Sequence, residues 1–237
     1  MAGKSYKAAR DAVDREKLYT PLDAVRTLKS LQTAKFDETV EVHMRLGLNV
    51  RHAEQQLRGT LFLPHGTGRS VTVAVFAQGE KAKEAEDAGA DHVGGDDLAA
   101  KVLEGFSDFD VAIATPDMMG VVGRLGRVLG PQGKMPSPKA GTITFDIEKA
   151  VSDIKSGKIE YRTDRTAIVH AAIGKKSFDE RALVENYGAV LDEILRVKPA
   201  AAKGRYIKSV TMASTMGPGI HIDSSRTRDL LEETAAG

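Results

Sequence analysis

The sequence contains no cysteine and no tryptophan, and only 5% of its 237 residues are aromatic. Without cysteine, the chain cannot form a disulfide framework, bind zinc through thiolates or use a cysteine nucleophile. This absence is consistent with a reducing cytoplasm. Long apolar runs are absent too, since no stretch approaches the roughly 18 residues of a membrane span. The polar N-terminus has no apolar segment behind it, so we expect no signal peptide.

Neither sign of charge dominates, because 34 Lys and Arg oppose 33 Asp and Glu, for a formal net charge of +1. The charges are unevenly distributed. Residues 69–159 contain 11 basic and 14 acidic residues, whereas the flanks, 1–68 and 160–237, together contain 23 and 19. A basic bias at both ends of a more acidic middle is one indication that the two ends form a single unit.

The N-terminal flank contains patterns typical of an α+β domain. Thr20 and Pro21 are suited to begin a helix over 21–31. Residues 39–46 alternate between polar and apolar, which predicts a half-buried strand. Residues 60–63 are a plausible partner strand, and they end at the breaker 64–68.

The C-terminal flank continues this antiparallel pattern. Segments 159–162 and 167–171 flank Thr163-Asp164-Arg165-Thr166, and together they predict a hairpin. The other predicted elements of this flank are a helix over 178–197, a strand over 206–212, a tight loop over 215–219 and a returning strand over 220–222.

The middle of the chain has a different pattern, with apolar strands of the kind that are covered on both faces. Its predicted elements are strands over 71–76, 91–95 and 111–114 and helices over 80–88 and 96–106. Such alternation predicts a small parallel α/β sheet. The sequence therefore predicts a discontinuous α+β domain, 1–67 with 159–237, and an inserted α/β domain, 68–158.

The glycine-rich segment 120–134 is the most unusual stretch of the sequence. A phosphate-binding P-loop needs a Gly-Lys pair followed by Ser or Thr, but Gly133-Lys134 is followed by Met135. No G-x-G-x-x-G motif follows a strand. Two interpretations remain open: a flexible loop near RNA phosphates, or a loop that is simply solvated.

No pattern of residues predicts an enzyme, a metal site or a cofactor site. The six histidines are scattered without metal-ligand spacing, and no G-x-S-x-G motif is present. Asp91, Asp96 and Asp97 are better explained by the preference of helix N-termini for acidic residues than by a cation. We therefore expect a protein without catalytic activity.

Two segments of the flanks carry chemistry that suits RNA. The segment 34–41 begins a strand with Lys35 and Phe36, and the segment 214–219 combines hydroxyl groups, Met216 and glycine backbone. Together they can supply base stacking, ribose contacts and close approach to a sugar edge. The alternative is a buried phenylalanine and an ordinary hairpin turn.

These segments, with several others, resemble the ribosomal protein L1 family. The resemblance runs in register from about residue 6 to 222. Its motifs include Thr215-Met216-Gly217-Pro218 and the stretch from Ala34 to Val42. The remaining motifs lie at 58–60, 63–66, 88–91, 93–95, 114–120, 125–131 and 138–142.

The resemblance implies a two-domain protein of the mobile stalk of the large ribosomal subunit. Its first domain would be built from both chain ends, and its second would be an inserted Rossmann-like α/β domain with helices on both faces of a small parallel sheet. The resemblance also implies direct binding of large-subunit ribosomal RNA and help in releasing deacylated tRNA from the exit site. Bacterial members repress translation by binding their own operon mRNA. We expect location in the cytoplasm, within the ribosome, with no cofactor, metal, membrane or small-molecule substrate.

The resemblance places an RNA-binding surface at eleven positions of this sequence: Lys35, Phe36, Thr39, Glu41, Asp164, Arg165, Thr166, Ser209, Thr215, Met216 and Gly217. Two positions depart from the expected family pattern. Arg165 stands where many members have lysine, which keeps the charge but changes the hydrogen-bond geometry. His221 stands where a more permanently basic residue is expected.

Two other classes of function remain as rivals. One is a small-molecule-binding or enzymatic α/β protein that uses the inserted domain, and the absence of a phosphate-binding fingerprint argues against it. The other is a protein-interaction module, for which binding should survive nuclease treatment.

Overall fold

The computed structural model describes residues 3–225. In this range the α-helices are α1 (Lys4–Asp11), α2 (Pro21–Ser30), α3 (Glu80–Asp87), α4 (Asp96–Leu103), α5 (Met119–Val122), α6 (Gly126–Leu129), α7 (Ile147–Lys155) and α8 (Glu180–Arg196). The strands are β1 (Thr39–Leu46), β2 (Arg58–Phe62), β3 (Val73–Phe76), β4 (His92–Gly94), β5 (Val111–Ala114), β6 (Lys158–Arg162), β7 (Ile168–Lys175), β8 (Ile207–Ser214) and β9 (Ile220–Ile222). None of the described helices is long and apolar enough to cross a membrane.

The described residues divide into two compact units. One contains residues 3–69 and 159–225, and the other contains residues 70–158. The predicted discontinuous domain extends to residue 237, so its last twelve residues lie outside the described range.

The discontinuous unit is built on an antiparallel sheet with the strand order β7-β1-β8-β9. One face of this sheet packs on α2 and α8 in a single apolar core. Val40, Val42 and Met44 of β1 have no exposed surface, and burying each such side chain stabilises the fold by about 1.5–3 kcal/mol. Helix α2 begins as predicted, because the Thr20 hydroxyl accepts a hydrogen bond from the Asp23 amide at 3.2 Å.

The other face of this sheet is polar. Alternation along β1 places Thr39, Glu41, His43 and Arg45 on that face, all of them half-buried or exposed. Neighbouring strands add further polar residues at matching positions, since His43 lies opposite His170 of β7. We call this surface the open face.

The predicted hairpin is wrong. Strand β6 pairs with β2 in a separate two-stranded sheet, whereas β7 pairs with β1. Between the two predicted hairpin strands only one isolated bridge forms, from Thr163 to Val169. The turn reverses the chain as expected, but each strand pairs with a strand that is distant in the sequence. This long-range pairing buries Tyr161 and Val169 in the common core. The pairing of β2 with β6 likewise removes 60–63 as a partner of β1.

The inserted unit contains the predicted parallel sheet, with the strand order β4-β3-β5. Successive residues of β3 are buried in two different cores. Ala74 and Phe76 pack with α4 and the helical turns after β5, whereas Val73 and Val75 pack with α3 and α7. Both faces of the sheet are therefore covered by helices, as the apolar strand pattern predicts.

The glycine-rich segment is neither a flexible nor a solvated loop over its first half. Residues Met119–Val122, Gly123–Leu125 and Gly126–Leu129 form consecutive helical turns. Val122, Leu125 and Leu129 have no exposed surface, and their spacing of three and four residues is that of one helix face. Their burial outweighs the cost of glycine in a helix, about 1 kcal/mol per residue.

Candidate nucleic-acid interface

The start of β1 is fastened to the loop that follows β8. The Thr215 amide donates to the Thr39 carbonyl oxygen at 3.1 Å. In return, the Thr39 amide donates to Thr215 Oγ1, also at 3.1 Å. This reciprocal pair joins the two segments that the sequence analysis selected, although 176 positions separate them in the chain.

A buried carboxylate, Glu38, organises the same junction. Its side chain is 1% exposed. It accepts a hydrogen bond from the Thr33 hydroxyl, and its Oε2 accepts one from the Met216 amide at 3.0 Å. The Lys176 ammonium lies 3.9 Å from Oε1. Sequence reasoning missed Glu38, because nothing in the charged run around it indicates that this acidic residue is buried.

The surroundings of Glu38 keep it ionised. Burial raises its pKa, but donors on every side lower the pKa more, so that it lies below the ordinary value of 4.5. The donors are the Ser214 and Thr33 hydroxyls, the Met216 amide and the Lys176 ammonium. Among these donors, the Ser214 hydroxyl has the least favourable geometry, because its buried Oγ makes no well-formed hydrogen bond.

Above this buried carboxylate, two large apolar side chains face solvent. Phe36 is 57% exposed and Met216 is 54% exposed. The interpretation of Phe36 as a buried core residue is therefore wrong. Lys35 is also exposed. The segment that carries both residues is anchored by Asp37, whose carboxylate accepts from the Ser177 amide at 3.0 Å and from the Ser177 hydroxyl at 2.7 Å.

The two threonine hydroxyls already have partners within the protein. Thr39 Oγ1 accepts from the Lys175 ammonium at 3.0 Å, which leaves its O–H free to donate. Thr215 Oγ1 accepts from the Thr39 amide and contacts the Thr39 carbonyl oxygen at 3.4 Å, which leaves one lone pair. Lys175, which the sequence analysis did not select, therefore belongs to this surface.

Gly217 occupies a crowded position. A Cβ built on it would collide with Ser214 Oγ. Its backbone is not in the left-handed region, so the residue is required by space rather than by backbone conformation. We call the group Lys35, Phe36, Thr39, Thr215, Met216 and Gly217 the platform.

Asp164, Arg165 and Thr166 lie at the opposite end of the sheet and form what we call the turn group. The Asp164 carboxylate accepts from the Ile168 amide at 2.7 Å and from the Thr166 amide at 2.8 Å. Burial raises its pKa, but these amides, the Thr166 hydroxyl and His170 together lower the pKa to about 2. Asp164 and the Thr166 hydroxyl thus shape the turn, and Arg165 is exposed.

The structure separates the predicted site residues into two regions. Glu41 follows the platform on β1, whereas Ser209 lies opposite Arg45, near the turn group. The six residue-to-residue steps from Thr39 to Arg45 correspond to about 20 Å along a strand. An RNA that contacts both regions must therefore lie along the open face.

A histidine pair occupies the middle of the open face. The Nδ1 atoms of His43 and His170 are 2.8 Å apart, so that one ring donates and the other accepts. Burial and the neighbouring His170 lower the pKa of His43, and the Glu41 carboxylate, 4.0 Å from its Nε2, partly opposes them. The alternation of β1 already indicated that His43 and Arg45 share a face with Thr39 and Glu41.

At the edge of the open face, His221 of β9 is exposed, and its Nδ1 lies 3.2 Å from Thr211 Oγ1. Among residues 3–225 no group of three or more histidine, cysteine or acidic side chains is placed to hold a metal ion.

Comparisons with known proteins show which family this chain belongs to. The model of the ribosomal protein L1p/L10e family matches residues 28–218. A protein of Thermobifida fusca is 60% identical over 226 residues, which cover 95% of this chain and 96% of the relative. A protein of Beutenbergia cavernae is 58% identical over 233 residues and 98% of each chain. Both relatives bear the name large ribosomal subunit protein uL1. The chain belongs to the ribosomal protein L1p/L10e family, a family of structural ribosomal proteins rather than enzymes.

Proposed function

We propose that this protein is a structural component of the large ribosomal subunit and binds the stalk region of its ribosomal RNA directly. The name of its relatives supports the subunit. The observation that carries the RNA contact is the platform, where Phe36 and Met216 are more than half exposed beside a backbone held by buried Glu38.

The chemistry of the platform fits the sugar and base edges of RNA. An exposed aromatic ring offers a stacking surface to an unpaired base. The free O–H of Thr39 can donate to RNA, and the Glu41 carboxylate can accept from a 2′-hydroxyl or a base amino group. A carboxylate at this position repels phosphates, so we expect ribose and base contacts to provide most of the affinity here.

The discontinuous unit is accordingly proposed as the RNA-binding domain, with residues 68–158 as the inserted domain. Both the platform and the turn group belong to the unit formed by 3–69 and 159–225. The charge distribution points the same way, because the flanks have an excess of basic residues and the middle has an excess of acidic ones.

We further propose that the protein helps to release tRNA from the exit site and represses translation by binding its own operon mRNA, in the cytoplasm. The resemblance to bacterial family members motivates both roles. If ribosomal RNA and mRNA bind the same platform, they compete for it, and the protein represses translation only when it exceeds the available ribosomal RNA.

Removing the stacking ring tests this proposal. Loss of one base–aromatic stack costs about 1–3 kcal/mol, so Phe36→Ala should weaken binding of a stalk RNA fragment by roughly 5- to 150-fold. Phe62→Ala is the matched control, since Phe62 is 55% exposed on β2, outside the platform. Filter binding with the full chain measures both. Equal affinities of the two variants would refute the platform as the contact surface.

The salt dependence of the same binding provides a second test. Each neutralised phosphate adds about 0.7–0.9 to the slope of log K against log salt. With few phosphate contacts we expect a slope of about 2–4. A slope near 10 would mean that a large basic surface carries the affinity instead.

A further inference from the structure

We propose that a cleft beside the turn group binds backbone phosphates of the same RNA, through Arg51 and Arg162 together with Arg165. The inference rests on the proposed function and extends it, since it adds a phosphate-binding region to the ribose-binding and base-binding platform. Neither Arg51 nor Arg162 belongs to the surface that the family resemblance implied.

The cleft lies between the loop after β1 and the turn after β6. It has a volume of about 640 Å³, and the three arginines line it together with Gln56 and Asp164. Clefts of this size hold groups as large as a nucleotide. The cleft ends at the turn group, about 20 Å along β1 from the platform, where an RNA on the open face would arrive.

The two walls of the cleft are joined at its base. The Leu57 amide donates to Thr163 Oγ1 at 3.2 Å, and the Thr163 amide donates to the Leu57 carbonyl oxygen at 3.0 Å. Within the first wall, the Gln56 side-chain amide donates to the Val50 carbonyl oxygen at 2.8 Å. These bonds fix the backbone from which the arginines project, which reduces the entropy lost on binding.

The cleft keeps a net positive charge. Within residues 3–225 the guanidinium groups of Arg51, Arg162 and Arg165 make no hydrogen bond or ion pair. The Asp164 carboxylate that lines the cleft offsets one of the three positive charges, and its hydrogen bonds come from amide and hydroxyl donors of its own turn rather than from these arginines.

Several other arginines of the same unit are paired with acidic side chains. Arg58 pairs with Glu160 at 2.6 Å, and Arg181 and Arg196 pair with acids of their own helix at 2.7 and 2.8 Å. Three unpaired guanidinium groups that converge on one rigid cleft are suited to phosphate, because the planar fork of arginine matches phosphate oxygens in a bidentate geometry.

The test replaces two cleft arginines that lie outside the turn group. Arg51→Gln/Arg162→Gln removes two positive charges from the cleft. The matched control, Arg181→Gln/Arg196→Gln, removes two positive charges from exposed arginines of α8 that lie outside the cleft. Binding of a stalk RNA fragment is measured from 0.1 to 0.5 M salt with the full chain, after circular dichroism and thermal melting have shown that each variant folds.

Loss of two phosphate contacts should lower the salt slope by about 1.4–1.8. Taken over the tenfold range from about 1 M to about 0.1 M salt, this change in slope corresponds to a roughly 25- to 60-fold loss of affinity at the lower concentration. The loss should shrink as the salt concentration rises. The control should keep its slope within about 0.3 of the wild-type value. Ethylation of the RNA phosphates that contact the cleft should block binding of the wild type. Ethylation at the same positions should no longer affect binding of the cleft variant.

The outcomes separate the two proposals. If wild type fails to bind the RNA, the proposed function fails. If wild type binds and the cleft variant matches the control in slope and ethylation pattern, the cleft proposal is refuted while the platform stands. If free inorganic phosphate at millimolar concentration raises the melting temperature of wild type as much as the RNA does, the cleft is a site for small anions and the proposal is again refuted.

Discussion

Replacing Glu38 by glutamine keeps the shape of a buried side chain but removes its charge. The carboxylate accepts from the Met216 amide and the Thr33 hydroxyl and lies near the Lys176 ammonium. Glutamine presents only one acceptor oxygen, and its NH₂ group faces a neighbouring donor. The Thr33 hydroxyl can rotate to accept from that NH₂ group, which leaves the amide oxygen facing the Met216 amide. The loss therefore consists of the attraction to the Lys176 ammonium and of the negative charge that strengthens the Met216 hydrogen bond.

A hydrogen bond to a charged group contributes about 1.5–3 kcal/mol, and we expect Glu38→Gln to lower the free energy of unfolding by that amount. For a unit of this size the melting temperature should fall by about 3–12 °C. The matched control is Glu16→Gln. Glu16 is exposed in a loop of the same unit, so its replacement should change stability by less than about 0.5 kcal/mol.

The pH dependence gives this prediction a second, independent readout. Because the pKa of Glu38 is lowered in the folded protein, its stabilisation is fully present above the ordinary value of 4.5 and is lost as pH falls through the lower folded-state pKa. The difference in melting temperature between wild type and Glu38→Gln should be constant from pH 6 to 8 and should narrow below about pH 4.5.

The same substitution should also weaken RNA binding, because the amide of Met216 would be held against the start of β1 by a weaker, neutral hydrogen bond. Calorimetric melting from pH 3.5 to 8 and filter binding at pH 7 measure the two effects. If Glu38→Gln melts within 1 °C of wild type at pH 7, the buried carboxylate does not organise the platform.

Two further perturbations test the space at Gly217 and the charge of the histidine pair. Gly217→Ala should lower both the melting temperature and the RNA affinity. The double variant Ser214→Ala/Gly217→Ala removes the collision, so it should regain stability, but it should still bind RNA about tenfold more weakly than wild type in filter binding. A double variant with wild-type affinity would mean that Gly217 serves only the turn. The pKa of His43 is lowered from 6.5 in the folded state, so the unfolded chain binds more protons than the folded one. The melting temperature should therefore decrease as the pH drops below about 6.5. His170→Gln should reduce that fall and His52→Gln should not, and identical profiles of the two variants would contradict this interpretation.

The sequence predicted those elements whose signals are local. Helix α2 has its cap at Thr20 and its apolar residues at helical spacing, and the parallel sheet has strands that are apolar on both faces. The platform segments 34–41 and 214–219 were selected by residue types that are rarely grouped in an ordinary turn. Local pattern was sufficient for the start of α2 because the capping partner of Thr20 lies three positions away. In the other cases the pattern indicated the strands or the segments, but it did not show which distant segment each one contacts.

The prediction failed where a segment contacts a partner that is distant in the sequence, or where the residue pattern does not show the structure that forms. The turn at Thr163-Asp164-Arg165-Thr166 resembles a hairpin, but β6 pairs with β2 and β7 with β1, a choice made by the shared core. Glycines concealed the helical spacing of Val122, Leu125 and Leu129, because their low propensity suggests a loop. Among the cleft arginines, Arg51 is far from Arg162 and Arg165 in sequence, and no local signal shows that it lines the same cleft.

The sheet order β7-β1-β8-β9 also has a consequence for the timing of biosynthesis. The central strand β1 is made early, but its partner Thr215 follows 176 positions later. At about 5–20 residues per second, synthesis of the intervening chain takes roughly 9–35 s. During that interval the platform does not exist, so that an incomplete chain cannot occupy RNA through it. If the platform binds RNA as proposed, a growing polypeptide becomes competent to bind through it only after nearly all of the chain has been translated.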